Sequence, residues 1–193
     1  WAVTLGARST EEDKTGFKEY VGLISANGKG SFDDTTSTFI VEHDFSENTN
    51  LYFKVAEGFK AGGFNAESSN PFAASTPYAP ETIESSELGL KGRYLDNRMM
   101  LNIAYFDNDH EDMQLSYFNA DAAAASEVIN QSANISGLEI ESMTMINDST
   151  VLTLNFSTLD SELNGNKIAG DGFLVNNLPY SPEKTLYASL EKD

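Results

Sequence analysis

The chain has 193 residues, 40% of them apolar, with no cysteine and a formal charge of 12 − 30 = −18. That composition excludes a disulfide framework, a thiolate metal site and a cysteine nucleophile. Its scattered acids exclude a nucleic-acid partner, which needs clustered Lys and Arg. No run of about 18 apolar residues occurs, so no transmembrane helix is encoded, although a barrel strand needs only about 9–11 alternating residues.

Taken in chain order, the dominant period is two, the mark of antiparallel strands with one apolar and one polar face. In "WAVTLGAR", Trp1, Val3 and Leu5 oppose Ala2, Thr4 and Arg8. In "STFIVEHDF", Phe39, Val41 and Phe45 oppose Thr38, Glu42 and Asp44. "NLYFKVAEG" sets Leu51, Phe53 and Val55 against Tyr52, Lys54 and Ala56. "SSELGLKGRY" sets Leu88, Leu90 and Tyr94 against Glu87, Lys91 and Arg93. "RMMLNIAYFDND" sets Met99, Leu101, Ile103 and Tyr105 against Met100, Asn102, Ala104 and Phe106. A longer, more polar strand follows over 128–146, with Leu138 and Ile140 opposite Glu139 and Glu141. "VLTLNFSTL" and "KTLYASLE" complete about eight strands. "DAAAAS" at 121–126 could form one helical turn, but its flanks read as loop.

The connections alternate in length. Residues 46–50, 95–98 and 147–150 are short and rich in Asn and Asp, as tight hairpin turns require. Residues 9–35, 58–81, 110–127 and 160–181 read as long loops. Short turns on one side and long loops on the other is the pattern of an outer-membrane barrel. The expected fold is therefore all-β: an antiparallel transmembrane β-barrel, with short periplasmic turns and long extracellular loops.

Several runs together resemble the barrel of TonB-dependent outer-membrane receptors. They are "NLYFKVAEGFKAGGFN", "YAPETIESSELGLKGRYLDNRMMLNIAYFDNDHEDMQ", the opening "WAVTLGARSTEEDKTG", "SGLEIES" and "LPYSPEKTLYASL". The resemblance covers nearly the whole chain in family order. It implies that residues 1–193 are about eight strands of a larger barrel of roughly 22. It also implies an outer membrane of a Gram-negative bacterium and energy-coupled uptake of a scarce nutrient. A ferric siderophore is the leading ligand, with cobalamin or a carbohydrate as alternatives. The partners implied are that ligand, membrane lipid and lipopolysaccharide, and TonB through an N-terminal part outside these residues. No cofactor is implied. Two rivals stand beside it: a complete small eight-stranded barrel with a structural or adhesive role, and a soluble all-β carbohydrate-binding module.

Candidate ligand contacts gather at "EGFKAGGFN". On this reading Gly58 marks a bend or bulge at the membrane exit, and Gly62 and Gly63 supply positive φ. Phe59, Lys60, Phe64 and Asn65 then hang over the barrel mouth, where aromatics, a cation and an amide suit an anionic or ring-bearing ligand. The competing reading, and the favoured one, is that Phe59 and Phe64 pack the loop against neighbouring loops or form the upper aromatic girdle. Lys91 and Arg93 are lumen candidates, because a charge pointing into lipid costs about 2–4 kcal/mol at mid-depth.

No catalytic or metal site is expected. The run 107–112 holds four carboxylates, but Asp112 stands where a calcium loop needs Gly, so it reads as a solvated strand extension. Two histidines without cysteine give a poor basis for zinc. No nucleophile elbow accompanies the serines.

Overall fold

The computed structural model describes residues 1–20, 24–119, 125–164 and 178–192. In chain order the elements are β1 (Ala2–Tyr20), β2 (Ile24–Ser46), β3 (Thr49–Lys60), β4 (Gly63–Phe64), α1 (Pro71–Ser75), β5 (Pro77–Tyr78), β6 (Glu81–Tyr94), β7 (Met99–Asn119), β8 (Ala125–Asn147), β9 (Thr150–Asn164) and β10 (Lys184–Lys192). Eight of them form one antiparallel sheet in the order β1-β2-β3-β6-β7-β8-β9-β10, and β4 pairs only with β5. The eight expected strands are all present.

β1 and β10 are the two ends of the sheet and do not pair with each other, so the sheet is open. This overturns the complete eight-stranded barrel. Nor, among the described residues, does a second sheet cover the apolar face: Leu5 is 76% exposed and Leu186 75%. A soluble sandwich would bury those side chains at core density, so the soluble module is overturned as well.

The sheet has two chemically distinct faces. Directly opposed residues share a face. One cross-strand row reads Val3, Val41, Phe53, Leu88, Tyr105 and Leu138. The next reads His43, Leu51, Leu90, Ile103, Ile140, Phe156 and Leu186. At the short-turn end Trp1 stacks on His43 at 4.1 Å, and Phe45 meets His43 edge-on at 4.8 Å.

The apolar band cuts the ladder obliquely. Its upper limit is Leu5, Phe39 and Val55 in β1–β3, but the same row continues as Ser86, Asp107, Ser136 and Asp160. In β6–β8 the limit drops to Leu88, Tyr105 and Leu138, and in β9 and β10 to Phe156 and Leu186. The edge falls by four residues, about 13 Å, while crossing seven interstrand gaps, about 34 Å. A band level with a membrane meets the ladder at a slant only when the strands lean, as barrel closure requires.

The short turns fall where expected, at 47–48, 95–98 and 148–149. In the second, Leu95, Asp96 and Asn97 all take positive φ, 54°, 56° and 67°. The long loops are a different matter. Residues 9–20 and 24–35 remain paired from Ser9↔Thr35 to Tyr20↔Ile24, so the first "loop" is mostly ribbon. β7 and β8 likewise stay paired out to Asn119↔Ala125. Backbone ladder bonds continue although neither face is apolar there, which the alternation test cannot detect. At 19, 23, 21 and 23 residues, these strands are about twice the 9–11 needed to span, so both ribbons project well past the apolar band. The helical turn considered at 121–126 falls largely outside the described residues, as does most of 160–181.

Candidate functional site

The polar face carries the charges placed there by alternation. Tyr52 lies directly across from Gly89, and Phe106 across from Gly137. A Cβ on Gly89 would fall 2.2 Å from the Tyr52 ring, and one on Gly137 would fall 2.7 Å from the Phe106 ring. Each ring therefore lies flat across a neighbouring strand and keeps the wall shallow. Tyr52 donates its hydroxyl to Glu87 Oε1 at 2.5 Å, and Lys54 Nζ stands 4.0 Å from Glu87 Oε2. Lys91 holds its ammonium 4.9 Å from the Tyr52 ring centroid. Tyr52, Glu87 and Lys91, with Asn102, Glu139 and Glu141, line a hollow of about 280 Å³. Lys91 and Arg93 also line a second, of about 420 Å³, near the 47–48 turn. Alternation had named both residues, and the structure brings them together on this face.

At the long-loop end, the segment 61–80 folds against the two projecting ribbons. On one side it meets the face of β1–β2 that continues the polar wall. Gly16 and Gly28 are directly paired there, and the Phe64 ring lies on both; added Cβ atoms would come within 2.8 and 2.3 Å of it. Lys14 donates to the Gly62 carbonyl at 2.9 Å, and Lys18 to the Ser68 carbonyl at 2.7 Å. On the other side the loop meets β7 and β8. Asn65 is bonded at both ends of its amide to one backbone residue: Oδ1 accepts from Val128 N at 2.6 Å, and Nδ2 donates to Val128 O at 3.2 Å. Asn130 repeats this in reverse on Ala79, with both bonds at 2.9 Å. Gln114 Nε2 adds bonds to the Ala61 and Ala79 carbonyls. The buried Ser68 hydroxyl donates to Glu127 Oε1 at 2.5 Å, so one residue ties the loop to both ribbons.

Three expectations about "EGFKAGGFN" change. Gly58 pairs with Ile83 in unbroken register and β3 runs on to Lys60, so there is neither bend nor bulge. The bulge lies instead between His110 and Met113 of β7, where Asp112 takes φ 52°. Neither Gly62 nor Gly63 has positive φ. Their missing side chains admit the Phe32 ring with the Tyr78 carbonyl at Gly62, and the Tyr78 ring at Gly63. Phe59, opposite Thr82, alternates onto the face of Phe53 and Val55 and so does not overhang the mouth. Lys60 alternates onto the polar side, its amine largely exposed and 3.6 Å from Glu81 Oε2. Phe64 and Asn65 are engaged as described, on glycine and on backbone.

The acidic run is strand. Asp107, Asp109 and Glu111 occur at alternate positions of β7, above the apolar band. Among the described residues no group of three or more His, Asp or Glu is disposed to hold a metal ion.

Sequence reading missed the latch residues Lys14, Lys18, Ser68, Gln114 and Asn130, whose partners in the bonds above lie 35–59 positions away. It also missed α1, although "NP" is a legible start signal. Asn70 caps the turn by accepting from Phe72 N at 3.0 Å, with Pro71 at the first position.

An open antiparallel sheet with a slanted apolar band, short turns at one end and long ribbons at the other is an arc of a transmembrane β-barrel wall. The family model "TonB dependent receptor-like, beta-barrel" matches residues 1–191, and the chain belongs to that family. Solved structures share the fold. The ferric yersiniabactin uptake receptor FyuA from Yersinia pestis aligns with a TM-score of 0.78 at 20% identity, over 98% of this chain and 28% of its own. The siderophore receptor PiuA from Acinetobacter baumannii aligns at 0.70 and 21% identity, over 97% and 28%. The copper transporter OprC aligns at 0.67 and 14% identity, over 83% and 26%. The chain thus spans less than a third of the proteins it resembles.

Proposed function

We propose that these residues form part of the wall and mouth of an outer-membrane receptor of a Gram-negative bacterium, one that imports a scarce nutrient with energy delivered through TonB. A ferric siderophore is the ligand favoured, ahead of cobalamin or a carbohydrate. The observation that carries the reading is the two-faced open sheet. Its outer face is too apolar for water, its inner face carries Glu87, Lys91, Glu139 and Glu141, and a latched loop stands above it. Siderophore receptors with the same fold support the choice of ligand. The copper transporter with that fold supports the class of protein but not the ligand.

The outer face meets lipid, and its upper border meets lipopolysaccharide. TonB acts through an N-terminal part beyond the residues described. Among the six candidate contacts, Lys60, Lys91 and Arg93 offer cations to the mouth and lumen and are assigned to ligand binding. Phe59, Phe64 and Asn65 are assigned to building the mouth.

Uptake of radiolabelled iron chelates by iron-starved cells is the test. The reading expects uptake that disappears when the gene is deleted and when the proton gradient is collapsed. Uptake unchanged by either treatment, across ferric chelates, cobalamin and oligosaccharides, contradicts it.

A further inference from the structure

The strand ladder is interrupted inside the arc, between two neighbours. β2 pairs with β1 without a break from Ala2↔Glu42 to Tyr20↔Ile24, but with β3 only as far as Thr38↔Ala56. β3 meanwhile stays with β6 up to Lys60↔Glu81. The two ladders therefore fork directly above the last apolar row, Phe39 and Val55. Within the apolar band every backbone group must find a protein partner; above it water takes that place. Further barrel strands add beyond β1 and β10, at the ends of the sheet, and so do not fill this fork.

The free side of β2 is a regular strand edge. Ser37 N points across the fork, where the Glu57 carboxylate, not backbone, accepts from it at 2.8 Å. Alternate N–H groups of a strand point the same way, so Thr35, Asp33, Ser31 and Lys29 turn theirs to the fork as well. Asp34 Oδ1 takes the Thr35 amide at 2.7 Å. Opposite the others no strand stands among the described residues. Edges are normally blunted by proline, bulges or several lysines. Residues 25–37 contain no proline, one lysine and no register shift against β1. Their odd-numbered side chains are exposed, while the loop 61–80 covers the opposite face at Gly28 and Phe32.

The foot of the fork is acidic. A hollow of about 260 Å³ there is lined by Asp34, Glu57, Glu84, Asp109 and Glu111, with no lysine or arginine among its lining residues. Glu57, Glu84 and Asp109 lie directly across from one another, on the face of Phe53 and Val55 and not on the lumen side. The open ladder sets the shape of what fits, and the carboxylates set its charge. We propose that the β2 edge at 27–35 takes up an extended, Lys- and Arg-rich segment of a separate polypeptide as an added strand. Its backbone bonds to β2, and its cations meet these carboxylates. The site goes beyond nutrient uptake, since it faces away from the lumen and takes a polypeptide.

The probe is a short peptide of alternating Lys and Thr, titrated into the detergent-solubilised full-length receptor. One control alternates Glu and Thr. The other is the Lys-Thr peptide methylated at every backbone nitrogen, which keeps its charge but cannot donate to a strand. The unmodified Lys-Thr peptide should bind at least about tenfold tighter than either control. It should also slow amide exchange at residues 29, 31 and 33 and leave the middle of β3 unchanged. Ser31→Pro removes a fork-facing donor without touching the β1 ladder. It should weaken binding about tenfold with an unaltered thermal melt. Glu84→Gln combined with Glu111→Gln should weaken it about threefold. Equal binding of the methylated peptide means charge attraction without strand pairing and overturns the proposal. Equal binding of the acidic peptide overturns it too. So does slow exchange at 29, 31 and 33 in the peptide-free receptor, because one of its own segments or a second copy then already occupies the edge.

Discussion

The membrane wall and the loop above it are built on different principles. In the wall, backbone ladders supply the hydrogen bonds, and the apolar side chains stay outside, on the face turned away from the lumen. Leu5, Leu186 and Leu190 remain largely uncovered by protein. In the loop region the order is reversed. The buried apolar residues Ala26, Phe32, Ala61, Ala74 and Ala133 lie there, and the hydrogen bonds are chiefly from side chain to backbone. The wall derives its form from a solvent with two faces; the loop needs specific partners distant in sequence.

This contrast predicts unequal responses to mutation. The largest difference is expected between adjacent residues of β7. Ile103→Lys puts a charge on the apolar face and should cost about 2–4 kcal/mol. Asn102→Lys faces the lumen beside Glu141 and should stay within about 0.5 kcal/mol. Denaturant titration of the full-length protein refolded into bilayers separates the two; equal costs would erase the distinction between the faces.

Next is Gly28→Leu, which drives a side chain into Phe64 and the Ser75 carbonyl. Overpacking of this kind costs about 1–3 kcal/mol. It should appear as new protease cleavage within 61–80 while the barrel stays intact.

Asn65→Ala removes both bonds to Val128 and leaves those backbone groups to water or to no partner. A local loss of about 1–2 kcal/mol is expected. Amide hydrogen exchange should quicken across 61–80 and at Val128 but not in the middle of β3 or β6. The smallest effect belongs to Lys91→Met, which deletes an ammonium above Tyr52 worth about 0.5–1 kcal/mol. A double-mutant cycle with Tyr52→Leu should recover that coupling.

The same contrast decides what could be read from the sequence. Strands were legible wherever lipid and lumen make opposite demands on neighbouring residues, as in "NLYFKVA" and "LNIAYF". Tight turns were legible because "LDNR" supplies residues that tolerate positive φ. The projecting ribbons were not, because one face meets water and the other a loop distant in sequence, so "STEEDKTGFKEY" need not alternate apolar with polar to pair with 24–35. Gly62 and Gly63 were seen but given the wrong reason, since close approach of a ring and positive φ both call for glycine. Asn65 was picked out, but its partner is 63 positions away in β8, and no local pattern reveals that. Lys91 and Arg93 were placed on the polar face by parity alone, since Leu88, Leu90 and Tyr94 fix the other face.

The central claim is that β1 and β10 are the open edges of an arc completed by further strands. Spin labels on Leu5 and Leu186 in the full-length receptor, reconstituted in bilayers, measure it directly. The account predicts a separation of tens of ångströms across the arc. A separation near 5 Å, the spacing of paired strands, would mean that these eight strands close on themselves and would contradict it.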